Sequence, residues 1–373
     1  MKKRSKVLSV LLAMTMTAAL ISGCGGREET PTETPETTEE QPAGEAEAPE
    51  ENAEEAEASQ EAAEGAMAAK FSATFPATGT QAEGINQLGE FLKEESEGRI
   101  VMELYPSSQL GDKIAAMEGM ISGTIEMSEF AATDFSNYDD MWSVLSLPYL
   151  WDTEEQAIGT LTDPEVSAFL AENVEQYGMK IIAWQNLGTR SILNSKRKVE
   201  TPKDLNGLTI RCMQDAVLAG TINAMGASAT PMAWGEVYTA LQQGTIDGLE
   251  NSAPVILANG MQEVAKYLSL TEQFSIPDPV VISKSWYDGL SPEDQAAVTA
   301  AGERYTEWYN SELWPNAEEE AMEELKAAGV EVTEVDKSVF KEATQSVIDE
   351  FLNSATDDQK ALYELLSTTR EKY

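Results

Sequence analysis

The side chains best equipped for chemistry fall in one stretch, Gly207 to Asn251, GLTIRCMQDAVLAGTINAMGASATPMAWGEVYTALQQGTIDGLEN. A short apolar run, Leu208 to Ile210, reads as a strand that delivers a single arginine, Arg211, at its end. Strand ends and helix starts are where open α/β sheets hold ligands. A guanidinium there presents a planar fork of donors that matches a carboxylate through two parallel bonds, as lysine cannot. The chemistry this predicts is anion capture, the alternative being a structural arginine paired to Glu250 or Glu236. Met213 and Gln214 follow closely and are expected to flank it. Asp247-Gly248 with Glu250-Asn251 reads as a polar turn, and an amide such as Asn251 can donate and accept at once. Glu250 is expected to hold an arginine in place rather than touch a ligand. Trp234 suits either a core position or a stacking cover, since aromatic residues do both.

The rest of the composition narrows the chemistry by exclusion. The 373 residues contain no histidine, which removes the commonest general base, the Ser-His-Asp and Cys-His arrangements, and histidine-based metal sites. After Cys24 the only cysteine is Cys212, so no disulfide is expected in the mature fold, and Cys212 reads as a small buried residue. A formal charge of −40 argues against nucleic acid or anionic lipid as partners. It also means that an anionic ligand needs locally placed arginines. The acidic groups Asp139-Asp140, Glu318–Glu320 and Asp357-Asp358 read as solvated faces and lack the spacing of a metal loop. Neither metal nor cofactor is expected.

The elements that must position these groups alternate along the chain. Lys70–Phe75, Ile100–Tyr105 and Ile125–Met127 read as strands, separated by helices over Ala82–Glu95 and from Asp112, the latter with Ile114, Met117 and Ile121 inward. This β-α-β-α-β order implies a parallel sheet with crossover helices. Asp152 with Glu155 has the form of a helix-capping pair, and Asp163-Pro164 opens another helix. Met179–Trp184 is a strand, and Thr201-Pro202-Lys203-Asp204 opens a short helix. Helices follow at Asp215–Met225 and from Trp234 to Leu241, then from Asn251 to about Met261. Strands are expected near Tyr267–Leu270, Val280–Ser283 and Val330–Val335. A helix from the Ser291-Pro292 cap could reach Ala328, and two more begin at Asp336 and Asp357. The segment Glu129–Thr133, including Ala132, follows the third strand and is expected to line the pocket.

The amino-terminal part is of another kind. Lys2, Lys3, Arg4 and Lys6 precede an apolar run from Val7 to Ile21, too short for a stable membrane span. Its end, Leu20-Ile21-Ser22-Gly23-Cys24, is similar to the lipobox of bacterial lipoproteins, in which the cysteine is acylated. Residues 1–23 therefore read as a lipoprotein signal peptide and Cys24 as the lipidation site, anchoring the chain outside the cell. Residues 24–66 read as an acidic disordered tether, since Glu, Thr, Pro and Ala cannot bury enough surface to offset ordering.

From Phe91 to Asn251 the chain resembles the DctP-type solute-binding proteins of TRAP transporters. The matching pieces include Gly98-Arg99-Ile100, Tyr105-Pro106, Gln109-Leu110-Gly111, Gly123-Thr124-Ile125-Glu126-Met127 and Leu147-Pro148-Tyr149-Leu150. Gly188-Thr189-Arg190, Thr201-Pro202-Lys203-Asp204-Leu205, Met232-Ala233-Trp234-Gly235-Glu236 and Asp247-Gly248-Leu249-Glu250-Asn251 follow in order. The resemblance implies a two-lobed periplasmic-binding-protein-like α/β fold, each lobe a mixed sheet flanked by helices, with a long C-terminal helix spanning both. Lobe I would take residues 67–187 and 277–315, and lobe II residues 188–276 and 316–373. It implies capture of a small organic acid, such as a uronate or a dicarboxylate, for delivery to a TRAP-type membrane permease. Arg211 would pair with the carboxylate, Arg190 would add a contact or lie at the surface, Asn251 would bond the ligand or Arg211, and Trp234 would cover it. Where many members carry a histidine, this chain has Thr78-Gly79-Thr80-Gln81. A receptor for an ABC importer or sensor kinase would share this architecture. A tethered hydrolase of acidic sugars using Glu129 and Glu250 is the rival of another class.

Overall fold

A computed structural model describes residues 65–373; the expected signal peptide, Cys24 and the expected tether as far as residue 64 lie outside the described residues. The chain opens with β1 (Met67–Ser72), α1 (Thr80–Glu95), β2 (Ile100–Tyr105), α2 (Lys113–Ser122) and β3 (Met127–Glu129). Next come α3 (Glu154–Thr162), α4 (Pro164–Gln176), β4 (Met179–Gln185) and β5 (Thr189–Asn194). The central stretch forms β6 (Thr209–Cys212), α5 (Ala216–Ala224), β7 (Ser228–Pro231), α6 (Val237–Gln242), β8 (Gly248–Asn251) and α7 (Ala253–Ala258). Then β9 (Tyr267–Ser275), β10 (Asp278–Ser283), α8 (Lys284–Asp288), α9 (Pro292–Trp308) and α10 (Trp314–Ala327) lead to β11 (Glu331–Glu334), α11 (Lys337–Ser354) and α12 (Asp357–Thr369).

These strands form two mixed sheets. The first has the order β2-β1-β3-β10-β4 and the second β11-β9-β5-β8-β6-β7. In the first, β1 runs parallel to β2 and β3, as the β-α-β-α-β order implies, while β10 enters antiparallel between β3 and β4. The chain passes from the first sheet to the second between β4 and β5 and returns between β9 and β10. Among the described residues no helix is long and apolar enough to cross a membrane.

The expected long helix exists, with a modification. Trp314-Pro315 would break a regular helix, because proline lacks the N–H and its ring clashes with the carbonyl four residues back. A π-helical segment, Tyr309–Leu313, absorbs the misfit and joins α9 to α10. The α9 half packs on α1 and β4, and the α10 half on α7, so the helix runs along both sheets. Its close approach to β4 requires Gly302, where a Cβ would come within 2.1 Å of the Ile182 carbonyl oxygen. Gly302→Ala is therefore expected to destabilise the protein by about 2 kcal/mol or more, read as a lowered urea midpoint.

Three local expectations shift. In α2 the buried side chains are Ala116, Met117 and Met120, while Ile114 and Ile121 are 45% and 42% exposed, so only Met117 of the expected inward face is right. The cap of α3 is Thr153, whose hydroxyl accepts from the Gln156 N–H, with the Gln156 side chain accepting from the Asp152 N–H. The expected Asp152–Glu155 pair is one residue out of register. The third difference is the largest: Gly248–Asn251 is not a turn but a fully buried strand, β8, between β5 and β6.

Candidate functional site

The β8 strand explains why polar residues occupy the middle of a sheet. Its register sets Glu250 opposite Ile192 and Asn251 opposite Ser191 on β5, and Leu249 beside Arg211 on β6. Glu250 is completely buried and Arg190 nearly so. Arg190 Nε and Nη2 both donate to the Glu250 carboxylate, at 2.5 and 3.1 Å, and Nη2 also donates to the Glu250 carbonyl at 3.1 Å. Burial alone would lower the Arg190 pKa, but the Glu250 charge and hydrogen bonds hold it above the ordinary value. Arg190 is thus no surface residue; it is a buried ion pair with its fork turned on Glu250.

Arg211 is the complementary case. It is 3% exposed, and its Nε and Nη2 donate to the Met232 carbonyl at 2.9 and 2.7 Å. Among the described residues no carboxylate pairs with it, neither Glu250 nor Glu236. Burial pulls its pKa down to about 10, against the partly compensating field of Glu250, so it stays cationic at neutral pH. The Trp234 ring lies 5.3 Å from the Arg211 guanidinium carbon, a cation–π distance, and its indole N–H donates to Asn259 at 3.3 Å. Trp234, half-buried, also packs against two apolar clusters. Asn251 is buried with its side-chain carbonyl accepting from the Ser252 N–H. Cys212, next to Arg211, is buried, and burial pushes its thiol up to about 12.

These groups converge on a cavity of about 420 Å³ between the two sheets, within the range of small-molecule sites. Arg211, Arg190, Asn251, Trp234, Met213 and Gln214 all line it. Glu250 is not among them and stands behind Arg190, where it holds an arginine in place as expected. Ala132, expected at the wall, is instead buried in the apolar core, while Ala131 and Glu129 line the cavity. Gln81, from the Thr78-Gly79-Thr80-Gln81 segment, is at the wall, as are Thr74 and Phe75.

Another wall holds a charge cluster of which sequence reasoning found only Glu129, in the segment expected to line the pocket. Lys113, the first residue of α2, pairs with the Glu129 carboxylate and donates to the Glu129 carbonyl at 2.6 Å. Asp134 and Asp278 complete the group. Burial would lower the Lys113 pKa, but Glu129, Asp278 and Asp134 together hold it above the ordinary value. Burial would raise Glu129, yet Lys113 keeps it below. Asp278, buried and facing Glu129, is pushed well above the carboxylate range. Burial raises Asp134 to about 6 despite Lys113. A signal was available at Lys113: a lysine at the first position of a helix opposes the macrodipole, a conflict that asks for a reason. Asp278 offered none, since only the return of the chain from β9 brings it here.

The Asp134 shift has a consequence for stability. Its folded pKa of about 6 lies above the ordinary 3.8, so the native state binds more protons between those values and loses stability as pH rises through that window. Asp134→Asn is expected to raise the melting temperature at pH 7.5 by several degrees and to do nothing at pH 4. The gain is at most about 3 kcal/mol, because the side chain keeps some surface open to the cavity.

Comparison with known proteins bears on this site. Residues 71–355 match the family of bacterial extracellular solute-binding proteins, family 7 (DctP). The chain is 33% identical over 275 residues to the 2,3-diketo-L-gulonate-binding periplasmic protein YiaO of Escherichia coli, covering 74% of this chain and 83% of that one. It is 31% identical over 278 residues to a solute-binding protein of Chromohalobacter salexigens, covering 74% and 82%. Among solved structures it resembles a TRAP periplasmic solute-binding protein of Sulfitobacter sp. NAS-14.1 with bound β-D-galacturonate. That match has a TM-score of 0.76 and 31% identity over 80% of this chain and 99% of the other.

Proposed function

The chain belongs to the DctP family of extracellular solute-binding proteins, and from that premise we propose that it captures a small organic acid for a TRAP-type permease by pairing the acid's carboxylate with Arg211. One observation carries this reading: a buried guanidinium without a carboxylate partner at the wall of a cavity between two sheets. The Met232 carbonyl fixes one edge of the fork and Trp234 covers its face, so the remaining donors are oriented before a ligand arrives. Capture closes two lobes, residues 67–187 with 277–315 and residues 188–276 with 316–373, about the β4–β5 and β9–β10 connections. Asn251 and Gln214 bond the ligand beside Arg211, and Met213 contributes apolar contact. Lipid on Cys24 holds the receptor at the outer face of the membrane, with residues 24–66 as spacer.

The hydrolase reading loses its geometry, since it needs two carboxylates flanking a scissile bond, whereas Glu250 is bound to Arg190 outside the cavity lining. A thermal-shift screen of the full chain against organic acids tests the proposal, because ligand binding raises apparent stability by mass action. Saturable stabilisation by a carboxylic acid is the expected result. A screen in which only uncharged sugars or amines stabilise the protein would refute it.

A further inference from the structure

Resting on the carboxylate-capture reading, the geometry points to a specificity device: the Lys113–Glu129–Asp134–Asp278 wall selects polyhydroxy monocarboxylates and rejects dicarboxylates. Arg211 sits at the β6 side of the cavity, and this cluster lines it from α2, β3, the 3₁₀ segment Ala132–Asn137 that follows β3, and β10. A ligand whose carboxylate meets Arg211 therefore turns its other end toward three carboxyl groups and one lysine. That lysine is already engaged, its ammonium on both the side chain and the backbone carbonyl of Glu129. Among the described residues lining the cavity, Lys113 and Arg190 are each paired with a carboxylate, which leaves no unpaired cation for a second ligand carboxylate once Arg211 holds the first.

Hydroxyl groups suit the same wall. Each can donate to a carboxylate and accept from an ammonium or a protonated carboxyl. Glu129 is 1% exposed, and its Oε2 atom is buried without a fixed donor although the residue lines the cavity. Asp278 lies against it, and two carboxyls can meet only by sharing a proton, in keeping with the high Asp278 pKa. A ligand O–H can donate to Asp134, the half-buried carboxylate of this wall, while a second ligand carboxylate would bring another negative charge to a wall already in excess of it. Rejection of this kind comes from a repulsive element built against the competitor.

Acids of one configuration test the inference by isothermal titration of the full chain: D-galacturonate against galactarate, the open-chain acid in which the ring aldehyde carbon has become a second carboxylate, with D-galactonate as the open-chain monocarboxylate expected to side with galacturonate and succinate as a hydroxyl-free dicarboxylate. Wild type is expected to prefer galacturonate over galactarate by on the order of a hundredfold. Asp134→Asn and Glu129→Gln, assayed separately, are each expected to narrow that ratio about tenfold by improving galactarate binding. The neutral Asp134 variant is expected to fold at least as well as wild type, which keeps the test open should Glu129→Gln not fold. Equal or tighter binding of galactarate or succinate by wild type would overturn this inference alone. So would an Asp134→Asn ratio unchanged from wild type. Failure to bind any acid would overturn it together with the capture reading.

Discussion

Arg211→Lys is expected to lose two to three and a half decades of affinity for the acid ligand while unfolding at nearly the wild-type urea concentration. Two features set the size of the effect. Arg211 divides its donors, Nε and Nη2 to the Met232 carbonyl and the rest to the cavity. A lysine ammonium at the end of a flexible stem cannot fix itself on that carbonyl and present a planar pair of donors as well. Truncating one partner of a buried charge pair costs roughly 3–5 kcal/mol, and each 1.4 kcal/mol is about a decade in the dissociation constant. Stability should change little, because no carboxylate of the described chain relies on Arg211 for its neutralisation. Titration calorimetry beside urea unfolding separates the two effects. Wild-type affinity in the lysine variant would remove Arg211 from the site.

Glu250→Gln is expected to behave in the opposite way, costing about 3–5 kcal/mol of folding stability. Glu250 is fully buried and neutralises Arg190, which is itself 6% exposed. It also supplies the largest favourable field at Arg211, whose charge the neighbouring Arg190 opposes. Without that carboxylate two buried guanidiniums would face each other with only the weaker fields of Asp134 and Asp278 to offset them. Replacing both members of the pair, Arg190→Met with Glu250→Leu, is expected to recover much of the loss, since apolar isosteres of a buried pair are often neutral or stabilising. Urea unfolding of Arg190→Met and Glu250→Leu singly and of the double variant measures the coupling. Additive single effects would show that the pair does not hold the sheet together.

The contrast between the two arginines shows what could be read from the chain and what could not. Arg211 was legible because a short apolar strand ending in a lone cation has few structural explanations. Arg190 was not, because Thr189-Arg190-Ser191 beside Lys196-Arg197-Lys198 has the composition of a surface loop. In the fold it begins β5, and its charge is buried only because β8 sets Glu250 against it. The β8 strand was misread for the same reason: Gly-Leu-Glu-Asn has turn composition, and polarity at strand level is explained only by a partner 60 residues away. Helix periodicity served well for α1 and failed for α2. There Ile114, Met117 and Ile121 satisfy a helical stripe, but the sheet meets the face carrying Ala116, Met117 and Met120. The parallel arrangement of β1, β2 and β3 followed from the alternation of elements, whereas the two mixed sheets are what the family resemblance implied. The acid-rich wall followed from neither, because Lys113, Glu129 and Asp278 come from three separate elements that only the tertiary fold brings together.

The central claim is that a ligand's negative charge, and not merely its shape, is what Arg211 holds. Titration of the full chain with D-galacturonate and with its methyl ester tests this most directly, because esterification removes the charge and leaves every ring hydroxyl in place. The acid is expected to bind and the ester to bind at least a hundredfold more weakly. An ester that binds as tightly as the acid would contradict the account.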